Sequence, residues 1–108
     1  MYAINTILGD FHTRVSQVHL SQGEPQKIIG RDPTRVYLAI QNTTGTTLSV
    51  FLMTDVGNLI PSWMIIEQER LELYWQYHGA LVTFELWGGS LSKAVSTDVC
   101  VTELLWVP

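Results

Sequence analysis

The chain is expected to fold as an all-β protein, an antiparallel, jelly-roll-like β-sandwich of about seven to eight strands. Three observations lead there. Segments of period-two alternation recur along the chain, clusters of Gly, Asn, Pro, Ser and Thr separate them at short spacing, and no segment reads as a secure helix. The clearest case is Arg35–Gly45, RVYLAIQNTTG. Val36, Leu38 and Ile40 point one way while Tyr37, Ala39 and Gln41 point the other, as in a sheet with one buried face. Asn42–Thr47 follows as a polar turn, with Gly45 available for positive φ, and Thr47–Thr54 is a second strand. The two are read as a hairpin.

The remaining elements follow in chain order. Met1–Phe11 carries Tyr2, Ile4, Ile7, Leu8 and Phe11 without clean alternation, and is read as an arm or an edge strand ahead of one sandwich domain spanning 12–108. His12–Leu20 is an amphipathic strand with Val18 and Leu20 on one parity and Val15 on the other. Ser21–Pro25 turns the chain, Gln26–Ile29 is a short strand, and Gly30–Pro33 is a break. Val56–Pro61 is read as a turn. Ser62–Tyr77 is ambiguous: its composition suits a helix, with Gly79 as a stop, but a helical wheel puts Arg70 in the middle of the apolar face. As a strand, Leu71, Leu73, Trp75 and Tyr77 share one side, and the strand is preferred. Gly79–Trp87 alternates as a strand, Gly88–Ser90 is a turn, and Asp98–Trp106 is the last long strand.

With 108 residues, a single domain is expected. Charged residues make up only 15% of the chain, against a usual share of about 25%. With four Trp and four Tyr besides, the composition suits a surface partly covered in an assembly, or an ordinary small domain with a rich core. The six basic residues, Arg14, Lys27, Arg31, Arg35, Arg70 and Lys93, form no stripe, so nucleic-acid binding is not expected. No apolar run approaches the ~20 residues of a membrane span. No signal peptide is evident, and cytoplasmic folding is the default. A single cysteine, Cys100, excludes an internal disulfide, and a buried thiol is expected.

Catalytic chemistry finds little support. His12 and His19 have opposite strand parity, and an H-x-H metal pair is missing, so no metal or cofactor is expected. Glu67, Glu69 and Glu72 beside Arg70 read as a solvated face, and no serine has a nucleophile-elbow context. The chain is not expected to be an enzyme. Asn42-Thr43-Thr44 matches the N-glycosylation pattern but reads as turn chemistry. Trp63, Trp75 and Trp87 suit either stacking platforms for sugar rings, contact anchors or core positions.

Arg35–Asn42 resembles the R-x-Y-L-x-I-Q-N strand of small β-sandwich head or decoration proteins of tailed bacteriophages. Similar counterparts follow at Leu48–Thr54, Val56–Pro61, Arg70–Leu73 and Gly79–Leu86, and a closing V-x-V-x-E strand at Val99–Glu103, so the likeness spans about Arg35–Glu103. The chain departs from that pattern at Asp55–Trp63, where the family often has a Gly-rich loop and a P-G turn. The resemblance implies a virion protein, most readily a capsid decoration or cement subunit. Its partners would be the major capsid protein or other virion proteins and copies of itself, a trimer first. The alternative is a tail, vertex or head-fibre component that binds a host receptor or glycan. Candidate contact residues are Tyr2, Ile4, Ile7 and Leu8 in the arm, and Leu59, Ile60, Trp63 and Met64 in an apolar loop with Trp63 as anchor.

Overall fold

The computed structural model describes residues 10–20, 24–66, 68–90 and 97–107. Among these residues eight strands form two four-stranded antiparallel sheets. The strands are β1 (Asp10–Leu20), β2 (Gln26–Ile29), β3 (Arg35–Gln41), β4 (Leu48–Met53), β5 (Leu59–Ile65), β6 (Arg70–Tyr74), β7 (Leu86–Ser90) and β8 (Thr97–Val107). The first sheet has the order β1-β8-β3-β6 and the second β2-β7-β4-β5. First strand thus pairs with last, second with seventh, third with sixth and fourth with fifth, the nested pairing of a jelly roll.

The inner faces meet in one apolar core. Leu20, Leu38, Ile40, Leu73, Val99 and Val101 come from the first sheet, and Ile28, Ile29, Leu48, Val50, Ile65 and Leu86 from the second. The alternation in β1, β3 and β8 predicts these faces, because a pleated strand sends successive side chains to opposite sides. Leu38 and Ile40 are fully buried, as is Val101, whereas Val15 on the opposite parity of β1 is 64% exposed.

Four expectations are corrected. Strands β3 and β4 are not a hairpin: they lie in different sheets, and residues 42–47 carry the chain across the sandwich. Asn42 shapes that crossing from a fully buried position. Its Nδ2 donates to the carbonyls of Thr46, Ile65 and Ile66, and its Oδ1 accepts from the Thr44 amide. Leu59–Ile65 is not a loop but edge strand β5, and its turn is shorter, closed by Gly57 at φ 88° and the Asn58 amide bonded to Thr54 Oγ1. Pro61 is tolerated because β5 is an edge and is bulged beside it, between the pairs Val50–Trp63 and Phe51–Pro61.

The third correction concerns 62–77. It breaks after β5 and resumes as β6, where Leu71 and Leu73 face inward as the strand reading requires, but Trp75–His78 (α1) is a single helical turn. Gly79, at φ 58°, ends that turn where a glycine stop is expected. The fourth concerns 79–90. Gly79–Thr83 is a 3-10 turn, and the Gly88–Ser90 turn is instead the end of β7. A Cβ on Gly88 would clash with Ile28 Cδ1, so the glycine leaves room for the Ile28 side chain of the neighbouring strand β2.

Candidate functional site

The candidate contact residues divide three ways. Tyr2, Ile4, Ile7 and Leu8 lie outside the described residues. Ile60 and Met64 are exposed on β5, at 48% and 65%, and Ile66 just beyond it is 58% exposed. Leu59 is half-buried, and Trp63 is turned inward, packed against the core cluster. Trp63 is therefore half-buried against the core rather than the fully exposed anchor expected of it, and one side of it lines a groove on the open side of the sandwich. The cause is the bulge: Ser62 is one extra β5 residue between the pairs Val50–Trp63 and Phe51–Pro61, and it shifts the parity so that the indole points to the same side as Ile65.

Edge β5 faces edge β6 across the open side of the sandwich. A groove of about 350 Å³ lies there, lined by Trp63, Met64, Ile65, Ile66 and Leu71, with Glu69 and Arg70 on its rim. Its walls are apolar apart from that rim, which suits burial against another protein surface. A second cleft, about 200 Å³, is lined by Arg31, Met53, Thr54, Asp55, Phe84 and Glu85. Arg31 there bonds Asp55 at 3.0 Å and lies over the Phe84 ring, so its charge is already engaged.

The outer face of the first sheet carries the polar chemistry. Tyr37 and Tyr74, opposed across β3 and β6, both donate to Glu72 Oε2, at 2.7 and 2.8 Å. Burial, then the bond to Glu72, pushes the Tyr37 phenol up to about 12, and the two phenols hold Glu72 below the usual carboxylate range. Both phenols are spent on one carboxylate, which makes a braced pair rather than an acid–base couple. Tyr77 meets Tyr74 edge-on, and His78 Nδ1 accepts the Tyr74 amide. His19 bonds Asp98 across β1 and β8, a partner the sequence spacing does not reveal.

Of the three platform candidates, Trp75 is 53% exposed, Trp63 packs on the core, and Trp87 is half-buried with its indole N–H on Glu85. Cys100 is a half-buried free thiol on the outer face of the first sheet, in register with Gln17 and Gln41, not in the core. Among the described residues no group of three or more His, Cys, Asp or Glu is placed to hold a metal ion, and no helix is long and apolar enough to cross a membrane.

Sequence reasoning misses the most highly charged feature. Arg35 is buried at the head of β3, with Nε on Glu103 Oε1 at 2.8 Å and its remaining donors on the carbonyls of Gly30, Val82 and Phe84. Arg14 on β1 grips the same carboxylate at 2.6 and 2.9 Å and reaches Asp32. The two arginines hold Glu103 below the usual carboxylate range against the effect of its burial. A signal exists in the sequence: Glu103 shares the parity of Val99 and Val101, which puts a carboxylate on the core face of β8. A bulge at Val36 turns Arg35 inward to meet it.

No family model matches the chain, and no curated protein matches it. A solved structure described as "Bacillus endospore appendages form a novel family of disulfide-linked pili" is similar in fold, with a TM-score of 0.53 over 94% of each chain at 11% sequence identity. At that identity the likeness concerns the β-sandwich fold.

Proposed function

We propose that this protein is a non-enzymatic assembly subunit, and that in its specific form it is a capsid decoration or cement protein of a tailed phage. The observation that carries the assembly reading is the apolar edge at β5, where Ile60, Met64 and Ile66 are exposed and Met64 and Ile66 line a groove with apolar walls on the open side of the sandwich. Three large apolar side chains along one edge are costly in water unless covered. The phage form rests on the resemblance of Arg35–Asn42 and the segments after it. The mechanism is clamping: a rigid sandwich buries apolar area at joints between shell subunits, at ~25 cal/mol per Å² before association costs. The partners are the major capsid protein or other virion proteins, and copies of this chain.

A second reading, a subunit of an extended fibre, is favoured by the fold likeness to the pilus protein. The third, a receptor- or glycan-binding module, is favoured by exposed Trp75 beside Tyr77. Purified protein mixed with shells lacking it separates the three. High-copy binding that raises the shell's melting temperature, and that Met64→Asp abolishes, supports cementing. Filaments of the protein alone support a fibre. Binding to a glycan array that Trp75→Ala removes supports the module.

A further inference from the structure

We infer that β1 is a self-docking edge: two copies pair their β1 strands antiparallel about a two-fold axis at Val15, joining two four-stranded sheets into one of eight. The inference deepens the assembly reading and rests on it, but uses a different surface from β5.

The four edge strands are not treated alike. Strand β2 has four residues and a bulge, β5 carries Pro61 and a bulge, and β6 has five residues and runs into a helical turn. These are ordinary devices that stop an edge from recruiting strands. Strand β1 lacks them. It runs eleven residues without Pro or Gly, in unbroken register with β8 from Asp10–Val107 to Leu20–Thr97. Among the described residues no strand pairs with its other edge. Its outward row is Phe11, Thr13, Val15, Gln17 and His19, without Lys, Arg, Asp or Glu. Of the two charges on the inward parity, Arg14 is neutralised by Glu103 and Asp32, and Asp10 is exposed at the start of the strand.

The strand is also self-complementary. Successive side chains alternate faces, so a two-fold perpendicular to the sheet must pair residues of equal parity to keep both cores on one side. Val15 is the midpoint of Asp10–Leu20, and an axis there engages the whole strand. On the outer face Val15 meets Val15 of the second copy, Thr13 meets Gln17, and Phe11 meets His19. On the inner face Arg14 meets Ser16, His12 meets Val18, and Asp10 meets Leu20. No like charges are opposed, and a β-branched pair sits on the axis, where its 64% exposed side chain is covered. A second copy of the chain is thus a partner that opposes no like charges along this edge, and a two-fold contact of this kind closes on itself.

Sedimentation of the full chain tests the inference. The wild type should form a two-fold dimer, and Val15→Lys, which sets two ammonium groups face to face on the axis, should weaken it about tenfold or more. The melting temperature of the V15K monomer should be unchanged, since position 15 points to solvent. In a Cys100→Ser background, Val15→Cys should form a disulfide dimer under mild oxidation while Thr13→Cys, which faces Gln17, should not. A wild type that stays monomeric at high concentration overturns the inference, as does a dimer or trimer that V15K leaves intact. Equal cross-linking of the two cysteine variants overturns the register and the axis. If V15K has no effect while Met64→Asp abolishes binding to shells, the assembly reading stands and the β1 contact falls.

Discussion

The two sheets hold the same core by different means. The second sheet presents an apolar inner face, with Ile28, Ile29, Leu48, Val50, Ile65 and Leu86, and adjusts its geometry with bulges in β2 and β5. The first presents apolar residues plus a buried carboxylate with two arginines, which ties β1, β3 and β8 to the carbonyls of Gly30, Val82 and Phe84. Apolar contacts are non-directional, so the second sheet depends on shape. Hydrogen bonds and charge are directional, so in the first sheet the register of β8 against β1 and β3 is fixed by Glu103. A slip by one residue would send that carboxylate to the outer face and leave Arg35 buried alone.

The comparison breaks most sharply at Arg35. Arg35→Met should destabilise the fold by about 3–5 kcal/mol in denaturant unfolding, the cost of breaking a buried ion pair by removing one partner. Pairing it with Glu103→Leu should restore only part of that loss, because the three carbonyls that Arg35 serves stay without a donor. Full restoration would show that the pair fixes nothing beyond charge balance. In the second sheet, Trp63→Ala should cost about 3 kcal/mol because the indole packs on the core. An unchanged melting temperature would return Trp63 to the surface. Gly88→Ala should cost less, about 1 kcal/mol, since the clash is with the flexible end of Ile28.

The two sheets should also respond differently to pH. Glu103, Asp32 and Glu72, held low by their partners, all belong to the first sheet or the loop leading into it. A lowered carboxylate contributes stability above its unfolded value and loses it as pH falls through the folded one, so acid should unfasten the first sheet. Tyr37 acts in the opposite direction. Its folded value of about 12 lies above the usual value near 10, so its contribution is present below pH ~10 and lost as pH rises towards 12. Tyr37→Phe should flatten that alkaline limb in melts followed by circular dichroism. The smallest effect is expected at exposed Met64, where Met64→Asp should change subunit stability by no more than about 0.5 kcal/mol.

The fold class was legible because alternation in β1, β3 and β8 survives without tertiary context. Several connections were not. Residues 42–47 have a hairpin's composition, but β3 and β4 have different partners, which no local pattern encodes. Gly79–Thr83 alternates like a strand yet winds into a 3-10 turn whose Val82 carbonyl accepts from Arg35. Of the candidate contacts, Ile60 and Met64 could be found by apolarity alone. Trp63 could not be placed, since one extra residue in β5 reverses its direction. The buried network was half visible through the parity of Glu103, and hidden in its other half by the bulge at Val36.

The nested pairing also sets an order in time. The fourth and fifth strands lie close along the chain, while Asp10 must find Val107 almost the full length away. Loop-closure entropy favours folding from the β4–β5 hairpin outward, with β1 and β8 zipping last on the millisecond-to-second scale of non-local β topologies. Until that happens, β8 offers an unpaired edge, and β1 is free to choose between it and another chain. At high concentration during synthesis, exchange of β1 between copies competes with closure of the subunit, and the rate of that last zipping step decides how much protein is trapped.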